Sequence, residues 1–78
     1  MPQKEPIAES KLGALAKRYR KQAGKTRAQA AREMGVAQAS IFNAEESPNQ
    51  SLLKLRIKMI EAYSPFEVTG PVYFLEKK

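Results

Sequence analysis

Gly35 stands between two short segments of helical periodicity, and the residues around it leave those segments little freedom in how they lie. On its N-terminal side Thr26 is a good helix N-cap, Ala30, Ala31 and Met34 share one face, and Gln29, Arg32 and Glu33 point elsewhere. On its C-terminal side Val36 is apolar, and residues 38–45 read as another short helix with Ile41 and Ala44 on its buried side. A connection of about three residues through a glycine does not fold two helices back into an antiparallel pair, so the two must cross steeply.

The rest of the chain supplies what such a pair packs against. Ahead of it, Leu12, Leu15, Ala16, Tyr19 and Ala23 recur at helical steps with Lys11, Lys17, Arg18 and Lys21 between them, and Gly24 supplies a stop. Beyond Ser47-Pro48-Asn49, which breaks the chain, Ser51 is a candidate cap for a fourth helix running to about Tyr63. That helix carries one stripe of Leu52, Leu53, Ile57 and Ile60 and a second of Leu55, Met59 and Ala62, more than one small core requires. Residues 66–69 (Phe66-Glu67-Val68-Thr69) and 72–75 (Val72-Tyr73-Phe74-Leu75) are rich in β-branched and aromatic side chains, and Gly70-Pro71 between them marks a turn or bend. They predict one bent strand or a tight hairpin.

The expected organisation is therefore a loose arm over residues 1–9, polar and carrying Pro2 and Pro6, a helical domain over 10–64 and a C-terminal β segment over 65–78. The β segment has apolar residues in both alternating sets and needs cover on both faces. Its own fourth helix can supply that cover, or a second copy of the chain can. The expectation adopted is a homodimer formed through Leu55, Met59, Phe66, Val68, Val72, Tyr73, Phe74 and Leu75.

Composition narrows the function classes. A chain of 78 residues holds one small core, and without cysteine or histidine it has no disulfide, no zinc staple, no thiol nucleophile and no imidazole base. No Gly-rich phosphate loop or paired-carboxylate spacing replaces them, so neither enzymatic activity nor a metal or cofactor is expected. No apolar stretch is long enough for a membrane span, and the first residues lack the apolar core of a signal peptide, which points to the cytoplasm. With 14 Lys and Arg against 8 Asp and Glu, the net charge is +6, and the pI is about 9.8. That surplus favours a polyanionic partner, nucleic acid first.

Two short helices crossing steeply through a glycine are helix-turn-helix geometry, and the run over residues 26–45 resembles the phage-repressor and Cro-like family, also called the xenobiotic-response-element family. The likeness covers roughly residues 12–63. It rests on the small Ala31 inside the second helix, Gly35 at the turn, the apolar Val36 after it and the buried aliphatic Ile41 in the third helix. Each has a packing role: Ala31 lets the helices approach, Gly35 takes a positive φ, and Val36 with Ile41 plugs the gap between them. The resemblance implies a mainly α, four- to five-helix lambda-repressor-like domain with the short C-terminal strand or hairpin appended. It also implies that Arg20, late in the first helix, pairs with Glu45 at the end of the third. The chain departs from the family pattern at Arg27, where glutamine is favoured, at Ala37, where Ser or Thr caps the third helix, and at Glu46-Ser47, where a glycine is usual.

The same resemblance implies a sequence-specific regulator of transcription, a repressor that binds twofold operator DNA as a dimer through the major groove. Its base-reading positions are Gln38, Ala39 and Ser40, with Asn43 one turn on. The amides of Gln38 and Asn43 suit adenine, and Ala39 suits a thymine methyl. Phe42, where the family normally has a polar residue, can touch thymine methyls, lie buried against the first helix or serve a partner. Lys25, Thr26 and Arg27 at the start of the second helix, with Lys17, Lys54 and Lys11, are the candidate phosphate contacts. An alternative is an antitoxin that autorepresses its operon and blocks a toxin protein, since residues 43–49 followed by an apolar tail look like the HipB-type antitoxins. A protein-interaction adaptor that has lost DNA binding is a third reading, supported by acidic Glu45-Glu46 and apolar Phe42.

Overall fold

The computed structural model describes residues 7–47, 50–69 and 73–78. Among them are four helices, α1 (Glu9–Gln22), α2 (Arg27–Met34), α3 (Gln38–Glu46) and α4 (Leu53–Tyr63), followed by strands β1 (Phe66–Thr69) and β2 (Phe74–Lys77).

The ends of α2 form as its sequence dictates. Thr26 and Gln29 make a reciprocal cap: the Gln29 N–H donates to Thr26 Oγ1 at 3.1 Å, and the Thr26 N–H donates to Gln29 Oε1 at 2.8 Å. At the other end Gly35 takes a left-handed φ of 71°, and the Val36 N–H reaches back to the Ala31 carbonyl at 3.0 Å. α3 starts from Ala37 without a side-chain cap. α4 starts at Leu53, after Leu52, again without one, so the expected Ser51 cap does not form.

Leu12, Ala16, Ala30, Ala31, Met34, Ile41, Ala44, Met59 and Ile60 build the core. Gly13 joins the buried face of α1, and a Cβ there would lie 2.5 Å from the Ala44 carbonyl oxygen. α1 and α3 therefore meet backbone to backbone at that point, an approach that only glycine permits.

The two stripes expected on α4 are replaced by one broad face. Its buried residues are Arg56, Met59 and Ile60, with Leu52, Leu53, Leu55 and Tyr63 partly buried around them. α4 touches α1, α2, α3 and β1, and four neighbours in one chain account for its apolar breadth without a second copy. Val36 is also corrected: it is 36% exposed and does not plug the α2–α3 gap, which small alanines and Ile41 fill.

Arg56 is the largest of the fully buried side chains. Its guanidinium donates to the carbonyls of Ala44 at 2.9 Å, Ser47 at 2.7 Å and Gln50 at 3.0 Å. Two of these are at the C-terminal end of α3, where unpaired carbonyls and the helix dipole favour a cation.

The C-terminal segment closes within the chain as an antiparallel hairpin, with Phe66 opposite Lys77, Val68 opposite Leu75 and Thr69 opposite Phe74. The second strand begins two residues later than the sequence suggests. Gly70, Pro71 and Val72 lie outside the described residues. The Phe66 N–H donates to Ser64 Oγ at 3.2 Å, and the Val68 N–H donates to Glu61 Oε2 at 3.0 Å, tying β1 to the end of α4. The expected loose arm is also corrected at its end: the Ile7 N–H donates to the Tyr73 carbonyl at 2.7 Å, and Ile7 packs against the core.

Candidate nucleic-acid interface

α3 divides its residues cleanly between interior and surface. Ile41 and Ala44 are buried, while Gln38 and Ala39 are exposed and Ser40 and Asn43 half-buried. The four polar or small positions expected to read bases thus stand on the helix's open side. Phe42 is 48% exposed, so of its three expected roles burial against the first helix is excluded, and groove contact and a partner remain. The Arg27 guanidinium carbon sits 4.8 Å from its ring centroid, a cation–π stack.

Beneath this surface a charged cluster fastens α1, α2 and α3 together. Arg20 Nε donates to Glu45 Oε2 at 2.6 Å and Arg20 Nη2 to Glu45 Oε1 at 3.2 Å, a bidentate pair in which the Glu45 side chain is wholly buried. Arg20 Nη1 also donates to the Lys25 carbonyl at 2.7 Å, which fixes the turn leading into α2. Arg27 shares the same carboxylate, its Nε lying 3.0 Å from Glu45 Oε1, and its Nη2 reaches Glu46 Oε2 at 2.8 Å. Lys17 Nζ meets that same Glu46 oxygen at 2.5 Å. Lys17 and Arg27 hold the exposed Glu46 carboxyl below its ordinary pKa, the Lys17 hydrogen bond contributing most.

The candidate phosphate contacts are accordingly less free than their sequence suggests. Lys17 and Arg27 are paired as above, and Lys25 pairs with Glu33 at 2.9 Å. The Tyr63 hydroxyl donates to the other Glu33 oxygen at 2.6 Å, and together Tyr63 and Lys25 lower the Glu33 pKa. Burial and the neighbouring Glu33 carboxylate push the Tyr63 hydroxyl well above the usual tyrosine range. Thr26 is held in its capping box. Lys54 and Lys11 are exposed, and their side chains make no hydrogen bond or ion pair with the described residues. Partly exposed ion pairs are weak, so a phosphate can replace Glu33 or Glu46 at these cations.

The expected dimerisation residues are mostly engaged within the chain. Met59 is fully buried in the core and reaches no outside surface. Val68, Tyr73 and Leu75 pack partly against that core, and the Phe66 ring centroid lies 6.2 Å from that of Tyr19. Leu55 and Phe74 are half-buried, and Val72 falls outside the described residues.

Gly13, Glu46 as a shared anion, and Arg56 are not singled out by periodicity or composition. A signal for Arg56 existed: it stands three residues before Met59 and four before Ile60, on the face those two bury.

Among the described residues no cluster of acidic side chains has metal-site geometry, and no helix is long and apolar enough to cross a membrane. Comparison of the chain with protein-family models, with curated proteins and with solved structures gives no match.

Proposed function

We propose that this chain is a sequence-specific double-stranded DNA-binding protein of the helix-turn-helix type, with α3 as its reading helix, acting as a repressor by occluding a promoter. The observation that carries the reading is the division of α3: Ile41 and Ala44 are buried while Gln38 and Ala39 are exposed and Asn43 is half-buried on the same open side. The Arg20–Glu45–Arg27 cluster supports it, because a reading helix needs a rigid seat and this one is fastened to both preceding helices. The net charge of +6 agrees in sign with a polyanionic partner. One short helix reads few bases, so the working unit is a twofold dimer with its heads about 34 Å apart.

Selection of bound sequences from a random duplex pool, followed by fluorescence anisotropy on the winner, tests this. A twofold consensus is expected. Gln38→Ala and Asn43→Ala should each weaken the selected site by about 1–3 kcal/mol and relax the choice of base at one position per half-site. For about eight phosphates neutralised by a dimer, log K should fall with log salt at a slope of about −7. A slope near zero, or no enriched sequence, sinks the proposal.

A further inference from the structure

A second surface lies on the far side of α1. Gly13 faces α3, and Lys11, Ala14 and Arg18, about 100–160° around the helix from it, are exposed. With half-buried Ile7, Leu15 and Leu75 they line a groove of about 670 Å³.

The chemistry of this groove is two-part. Its floor is apolar, supplied by Ile7, Leu15 and Leu75. Its rim carries the Lys11 ammonium and the Arg18 guanidinium, on residues two helical turns apart, about 10 Å along the axis, with Ala14 and Leu15 between them. The Lys11 and Arg18 side chains make no hydrogen bond or ion pair with the described residues, whereas Lys17, Arg20, Lys25 and Arg27 each hold a carboxylate. Lys21, exposed one turn beyond Arg18, extends the same cationic strip. The unneutralised charge of α1 is thus gathered beside an apolar notch and away from α3.

We infer that this groove is a docking site for an acidic segment of a partner protein, one apolar side chain entering the notch at Ala14 between acidic residues that pair with Lys11 and Arg18. Charge complementarity selects the acids, and the apolar floor selects a peptide over a nucleic acid, whose phosphates would satisfy the rim and leave the floor wet. A bilayer fits less well, because an interfacial surface pushes its apolar side chains out beyond its cations, and here they are recessed. The inference does not depend on the DNA-reading proposal.

Selection of a displayed random-peptide pool on the full chain, followed by anisotropy with the synthesised winners, provides the test. The expected winners carry Asp or Glu on both sides of a single Leu, Ile, Met or Phe. Lys11→Glu/Arg18→Glu should weaken them by about 30-fold or more, and Ala14→Trp should block the notch with similar effect, both variants keeping the wild-type circular dichroism. Gln38→Ala should leave peptide binding unchanged. The inference is overturned if no sequence is enriched, if reversal of the rim charges leaves affinity intact, or if changing the apolar anchor of a winning peptide to alanine has no effect.

Discussion

Arg20 and Arg56 are both almost wholly buried, one on α1 and the other on α4, and both act on the last turn of α3. Arg20 meets the Glu45 carboxylate, with Arg27, Glu46 and Lys17 continuing the pairing outward to solvent. Arg56 meets three backbone carbonyls and no carboxylate among the described residues. The first corner is a side-chain arrangement that another pair of side chains can replace. The second is a side chain answering the backbone itself, and no substitution elsewhere removes the carbonyls it serves.

The largest effect is expected at Arg56. Arg56→Met keeps the apolar stem and leaves three carbonyls without their donor, costing about 3–6 kcal/mol in urea unfolding. A cost below about 1 kcal/mol would show that water takes over the carbonyls and that the two corners are alike. At the other corner Glu45→Leu strands Arg20 and should cost about 3–5 kcal/mol, but Arg20→Leu/Glu45→Leu should cost less than Glu45→Leu alone, since a buried pair is replaceable as a unit. Additive losses in that cycle would break the distinction.

Gly13→Ala sharpens the comparison from the α1 side. The added methyl would lie 2.5 Å from the Ala44 oxygen, the same oxygen that receives Arg56 Nε. Moving α1 away should cost about 1–3 kcal/mol, partly offset by the gain in helix propensity of about 1 kcal/mol. Thermal unfolding measures it, and a stabilised variant would mean that the α1–α3 contact yields freely.

The smallest effect is one of pH. The folded-state pKa of Glu46 is lowered from the ordinary 4.5, so its contribution is fully present above that value and is lost as pH falls through the lower folded-state value. Glu46→Gln should therefore flatten stability slightly below pH 4.5, whereas Arg56→Met, at a corner whose acceptors do not titrate, should leave the acid limb unchanged. Equal flattening in both variants would contradict the contrast.

Much of the fold is legible where its causes are local. Thr26 through its side-chain cap and Gly35 through its left-handed backbone bound α2, and these are the ends the structure shows. The Arg20–Glu45 contact was an implication of resemblance, and the chain forms it. Arg56 escaped because its acceptors are carbonyls 6, 9 and 12 residues away, which any residue type can offer. Met59 falls on the second stripe by periodicity but lies in the core, because the rotation of α4 is set by its neighbours, α1, α2, α3 and β1. The hairpin is similar: composition marks its strands, but Ile7, bridged to Tyr73, and Glu61 of α4, bonded to Val68, also hold it in place. The outward face of α3 was legible from periodicity, whereas the pairing of Lys17, Lys25 and Arg27 was not, because their partners come from other turns or other helices.

The ties from Ser64 and Glu61 to β1 also govern how chains can meet. Phe66 and Val68, two residues apart, direct their N–H groups to the strand edge away from β2, and each already has an oxygen acceptor from the α4 end. An incoming strand finds no open donor at either position. A strand added at that edge would first have to displace Ser64 and Glu61 from these donors, which sets a cost on β-augmentation there.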